Sequence, residues 1–264
     1  MPPGMRSHAA PAPLLPSQPG SGWLRHATPE AAYRIAGRAL PWCWGVAVIA
    51  ALAGLGIGLV LAPADGRQGD LVRIVFVHVP AAWLSMGVYV VMAACFAVGL
   101  VAGARVASML AAALAPTGAL VTFLALWTGA LWGKPAWGAW WVWDARLTSE
   151  LLLLFLYLGV IALHAAIDDP LRADRAAVVL AVVGVINVPI IVFSVQWWQT
   201  LHQAGGVGLL RSPSLPGATF AALLLAALAL AAWCAAAALH RLRSMLLERE
   251  RDSDWARALP EAAA

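Results

Sequence analysis

Two histidines and a block of tryptophans are the residues whose types and spacing suit chemistry. His78 stands in VRIVFVHVPAAW and His202 in VQWWQTLHQ. Between them lies KPAWGAWWVWDARLTSE, residues 134–150, with Trp137, Trp140, Trp141 and Trp143 inside seven positions and Asp144 and Arg146 at its edge. Neutral imidazole is a common iron ligand, and two can hold a haem iron from opposite faces. Indole rings stack on a flat apolar plate, worth about 0.5–1.5 kcal/mol per ring pair beyond the area buried. Their N–H groups can donate to its rim. Arg146, Lys134 or Arg73 can pair with a porphyrin propionate, most strongly as a bidentate Arg–carboxylate contact. Asp144 would repel a propionate; it suits accepting loop amides, orienting Arg146, or steadying a ring N–H. Thr148 is placed to cap the next helix, and Glu150 to sit in its first turn, where a carboxylate suits the dipole.

Taken singly, each histidine serves equally as an interfacial hydrogen-bonder. Tryptophan also anchors at the headgroup level of membranes. The residues therefore leave two readings open: a plate-binding loop, or a rigid loop packed on itself and on lipid.

The elements that must position these groups are membrane helices. Of 264 residues, 62% are hydrophobic and only 11% charged, against about 45–50% and about 25% in soluble domains. Six uncharged apolar runs stand out, at 42–62, 80–104, 106–127, 151–167, 176–198 and 215–239. Each suffices for a span of about 17–25 residues, and strand alternation is absent. Gly103 and Arg105 predict a tight turn between the second and third runs. Pro80 is expected to begin the second span, leaving His78 just outside it. The expected fold is therefore all-α: a polytopic integral membrane protein of six transmembrane helices. Residues 1–41, rich in Pro, Ser and Gly, are expected to form a poorly ordered tail, 42–239 the membrane domain, and 240–264 a second tail. The first run starts too far from Met1 for a signal peptide.

Loop charge orients the bundle. Twelve of the seventeen Lys and Arg residues fall on the side carrying both termini, and five (Arg67, Arg73, Lys134, Arg146, Arg211) on the other. Positive charge stays inside, so both termini are expected in the cytoplasm. The loops at 63–79, 128–147 and 199–214 then face out. Eight of the fourteen tryptophans lie in or beside them, an asymmetry beyond a belt at both interfaces. The basic balance reflects topology, and nucleic acid is excluded as a partner because no basic patch sits on a soluble domain.

Cys43, Cys95 and Cys234 are far apart and form no C-x-x-C or C-x-x-C-H, which argues against thiol exchange and covalent c-type haem. His8, His26 and His240 need only solvation. His164, inside the fourth run, is expected to be buried and hydrogen-bonded. No G-x-x-x-x-G-K-[ST] is present, so the chain is not itself an ATPase.

The stretches HVPAAW, WGKPAWGAWWVWDARLTSELLL and SVQWWQTLHQ together resemble the signature of the WWD-domain haem-handling membrane proteins, in particular cytochrome c maturation protein C, the haem exporter protein C family. Ala139 and Gln199 depart from the Thr and Asn frequent there. The resemblance implies non-covalent, transient binding of haem b on the periplasmic face of the bacterial inner membrane. It implies His78 and His202 as axial ligands, and Trp137, Trp140, Trp141, Trp143, Asp144 and Arg146 as the cradle. It further implies presentation of haem to the chaperone, cytochrome c maturation protein E. The implied complex contains the single-span protein D and the ABC transporter subunits A and B, embedded in membrane lipid. Two alternatives stand beside it. One is a haem transporter, whose pathway would need polar groups within the membrane such as His164, Asn187 and Gln196. The other is an assembly subunit that binds no haem. A membrane electron carrier of the cytochrome b type would need more histidines inside the spans.

Overall fold

The computed structural model describes residues 28–63, 68–198, 200 and 216–259. Eight α-helices are present among them: α1 (Pro29–Gly56), α2 (Val75–Ala102), α3 (Arg105–Trp137), α4 (Ala145–Ala166), α5 (Pro170–Gly184), α6 (Asn187–Trp197), α7 (Gly217–Arg249) and α8 (Asp254–Arg257). A π-helical turn, Ile57–Leu61, continues α1, and a 3-10 turn, Asp70–Ile74, leads into α2. Six helical segments are long and apolar enough to cross a bilayer: Pro29–Leu61, Asp70–Ala102, Arg105–Trp137, Ala145–Ala166, Pro170–Trp197 and Gly217–Arg249. Among the described residues there is no strand. The molecule is an all-helical, multi-pass membrane protein.

Helix ends differ from the hydropathy runs for local reasons. The first helix begins at Pro29 rather than at 42, because the Thr28 hydroxyl accepts the Ala31 N–H (3.2 Å) and Pro29 stands in the first turn, where its missing N–H costs nothing. The last helix runs past 239 to Arg249, its final turns polar but still hydrogen-bonded. Residues 29–41 and 240–249 are thus helical, not tail. Gly103 adopts a left-handed conformation (φ 64°) and separates α2 from α3, as its sequence context predicts. The fifth span is broken between α5 and α6. Pro189 cannot donate to the turn before it, and Asn187 instead donates to the Ser149 carbonyl on α4 (2.8 Å).

α3 is the most buried span and the central post. It packs on α2, α4 and α7, while α1 lies along α7 and α5 along α2 and α4. Tyr89 and Tyr157 meet edge-to-face at 5.0 Å between ring centres in the core, and the Tyr157 hydroxyl donates to the Ser85 carbonyl (2.8 Å). The Tyr157 ring lies directly against Gly118, where any Cβ would overlap it. Gly118→Val is therefore expected to cost about 1–3 kcal/mol or more by overpacking, read as a lowered thermal transition of the purified protein.

Candidate functional site

At one end of the bundle, α2, α3 and α4 bring the predicted residues together. His78 is the fourth residue of α2, inside the helix and not ahead of it. The 3-10 turn from Asp70 starts the helical path early, so Pro80 falls inside the helix. The His78 Nδ1 is 3.0 Å from the Ala125 carbonyl and 3.1 Å from the Thr128 hydroxyl oxygen, both on α3. Thr128 uses its own proton on the Leu124 carbonyl (2.6 Å). A carbonyl cannot donate, so the proton is on Nδ1 and, in the neutral ring, the lone pair is on Nε2. That is the atom a metal takes, and a carbonyl bond on the other nitrogen is the usual way its orientation is held. Trp132 packs edge-on against the ring at 5.8 Å. Gly129 makes room for it, since a Cβ there would come within 3.0 Å of the imidazole.

The aromatic loop is shorter than expected. α3 continues through Trp137 and stops at Gly138 (φ 81°), whose N–H donates to the Lys134 carbonyl (2.9 Å). Only residues 138–144 connect it to α4. Residues 128–137 stay helical although Pro135 brings no N–H of its own. Trp140 and Trp143 are exposed, at 57% and 75%, with Trp137 at 40%. Trp141 is half-buried and meets Trp143 edge-on at 5.4 Å. Its indole nitrogen is buried and has no hydrogen-bond partner among the described residues, an uncommon cost for a donor shut away from water.

The loop's charged neighbours are tied to protein. Asp144, not Thr148, caps α4, its Oδ1 accepting the Leu147 N–H (2.8 Å). Glu150 is buried one turn further in than the dipole argument places it, and its Oε1 accepts the Ser85 hydroxyl of α2 (2.6 Å). Arg146 donates to the Ile191 carbonyl of α6 (3.1 Å) and lies in the attractive field of Glu150 and Asp144. Arg73 turns away, to Asp70 (2.8 Å) and the Gly58 and Leu59 carbonyls of the π-helical turn (2.6 and 2.7 Å). Lys134 donates to the Gly138 carbonyl (3.0 Å). Of the three cations considered for a propionate, Arg146 alone lines the pocket.

That pocket is lined by His78, Gly129, Trp137, Trp140, Trp141, Asp144, Arg146 and Glu150, among others. Its room is about 40 Å³, enough for about three waters. Trp143 stands outside it. Trp197, stacked on Phe193 at 5.3 Å, is likewise a surface ring. His202 lies outside the described residues. His164 is a hydrogen-bonded packing residue, on the Val160 carbonyl (3.0 Å) and Asp174 (3.0 Å). Sequence reasoning missed the α3 groups behind His78. Their signal was the spacing of Ala125, Thr128 and Gly129 on one helix face.

The sequence matches the family described as Heme exporter protein C over residues 22–257. It is 47% identical over 236 residues to heme exporter protein C of Escherichia coli strain K12, covering 87% of this chain and 92% of that one. It is 45% identical over 245 residues to the Haemophilus influenzae protein of the same name, covering 90% and 98%. The chain belongs to the Heme exporter protein C family. A ccmC-like mitochondrial protein of cytochrome c biosynthesis from Marchantia polymorpha is 41% identical over 175 residues, 66% of this chain and 72% of that one. Membership in the Heme exporter protein C family implies a role in haem delivery for cytochrome c biogenesis.

Proposed function

We propose that this chain binds haem b non-covalently at the tryptophan-rich end, through His78 and His202 as axial ligands, and presents it to the chaperone, cytochrome c maturation protein E. The observation that carries the reading is the Nδ1 bond of His78 to the Ala125 carbonyl, which aims an imidazole with its lone pair at Nε2 into a pocket walled by tryptophans. The buried indole N–H of Trp141, without a partner among the described residues, supports it as a donor suited to a ligand's rim. Haem is far larger than the 40 Å³ present. Loading therefore requires the short 138–144 connection to move outward, hinging near the left-handed Gly138 and the Asp144 cap.

In this reading Trp137, Trp140, Trp141 and Trp143 supply the flat surface. Asp144 holds the loop end, and Arg146 braces α4 against α6. The site faces the periplasm from the bacterial inner membrane, both termini lie in the cytoplasm, and protein D with ABC subunits A and B completes the complex. The main work of the site is positional: orientation of the plate lets the chaperone's attacking group reach it. Two of the three polar groups a transport pathway would use, His164 and Asn187, are bonded instead to Asp174 and Ser149.

Trp140 is exposed, so Trp140→Ala removes stacking surface with little effect on folding. It is expected to lower chaperone loading about three- to tenfold, from about 0.5–1.5 kcal/mol of stacking per ring pair. The measurement is haem covalently attached to protein E in cells carrying each variant. Unchanged loading would remove the platform from the proposal.

A further inference from the structure

At the end of the bundle opposite the tryptophan loop, α3 packs on both α4 and α7, and a cavity of about 420 Å³ opens between them. It lies beside the start of α3 and the last turns of α4 and α7. Its volume is within the range of about 300–1,000 Å³ that small-molecule sites occupy, and some tenfold the room at the tryptophan site. The deep wall is apolar, formed by small residues such as Ala112 and Pro116 of α3 and by Val160 of α4. The polar lining comes largely from one face of α7, with exposed His240 and half-buried Arg241 about two turns before Glu248, which lies nearer the helix end.

We propose that this cavity binds a phospholipid with an amine-bearing head. The acyl chain lies on the alanine wall, ester and phosphate oxygens meet Arg241 and His240, and the ammonium meets Glu248. The polarity of each group argues for this order. The Trp44 indole N–H, which can only donate, reaches the His240 Nε2 (3.3 Å). In neutral His240 the proton is then on Nδ1, a donor. Arg241 is held by a hydrogen bond to the Thr117 hydroxyl, and a guanidinium carries five N–H donors in a fixed fork. Glu248 is exposed, lines the cavity and forms no ion pair among the described residues. It lies about 10 Å beyond Arg241 along the axis, at 1.5 Å per residue. Donors earlier along α7 and an acceptor nearer its end reproduce the sequence of acceptor oxygens and then ammonium that such a lipid presents from bilayer to water. A head bearing only negative charge would meet Glu248 unfavourably. His164 walls the cavity with both ring nitrogens already engaged.

The test is native mass spectrometry of the full-length protein released from nanodiscs of equal phosphatidylethanolamine and phosphatidylglycerol. Wild type is expected to retain the ethanolamine lipid about fivefold over the glycerol lipid, the upper end for an ion pair open to water. Glu248→Gln is expected to bring that ratio to about one, and Ala112→Phe, which fills the cavity, to abolish retention of either. Glu248→Gln sits at an exposed position near the helix end and decides the matter even if Ala112→Phe fails to fold. No retained lipid, equal retention by wild type, or an unchanged ratio in Glu248→Gln would each overturn the proposal.

Discussion

His78→Ala is expected to purify as a folded membrane protein without haem. The imidazole is held through Nδ1 by the Ala125 carbonyl and the Thr128 hydroxyl, with the lone pair for an iron on Nε2, and alanine at 78 removes the ligand while leaving the helix intact. Partners behind a metal ligand are themselves worth about 10–100-fold in metal affinity, so losing the ligand is expected to cost at least about a hundredfold. The readout is haem content and the absorption spectrum of the purified protein, beside His202→Ala. Thr128→Val gives a graded comparison. It removes one of the two acceptors and keeps the shape, so a loss of about tenfold or less is expected, with the ring still held by the Ala125 carbonyl. Wild-type spectra in both His78→Ala and His202→Ala would end the axial assignment. A Thr128→Val loss equal to that of His78→Ala would mean that α3 shapes the site by packing rather than by orienting the imidazole.

The second large effect concerns stability. Arg146 and Glu150 attract one another one turn apart on α4, each also bonded to a different neighbouring helix. Arg146→Leu leaves the enclosed Glu150 carboxyl without its cation, at a cost of up to about 3–5 kcal/mol, the range for removing one partner of a buried pair. Arg146→Leu/Glu150→Leu removes both charges and is expected to recover more than half of that loss, the non-additivity that marks a coupled pair. Thermal unfolding of the purified single and double variants reads the cycle. Haem retention in the double variant then separates two roles of Arg146. Recovered stability with recovered haem means that it braces α4; recovered stability without haem means that it also contacts the propionates. Additive losses in the cycle would show that the pair is not coupled.

The structure changes what several residues are for, and the reason is the same each time. Arg73, Lys134 and Arg146 were equivalent as propionate partners when only charge and loop position counted. In three dimensions Arg73 closes the π-helical turn through the Gly58 and Leu59 carbonyls, and Lys134 satisfies the end of α3. Thr148 is the cap expected from the sequence, but Asp144 takes the role because α4 starts at Ala145. Glu150 follows the helix one full turn inward, where Ser85 of another helix meets it.

What the sequence determined by itself is what depends on composition and near neighbours. The number of spans follows from apolar length, because a bilayer requires its crossing segments to satisfy their own backbone. The break at Gly103 follows from one residue's freedom at positive φ. The family follows from the tryptophan block and the flanking histidine motifs. Tertiary structure alone decided which helix stands behind His78, how little room lies beneath the tryptophans, and that a larger cavity opens at the opposite end. Those depend on which helix faces meet across 40 or more residues of chain, as His78 meets Ala125 and Thr128. Hydropathy along one segment carries no information about the segment it will face.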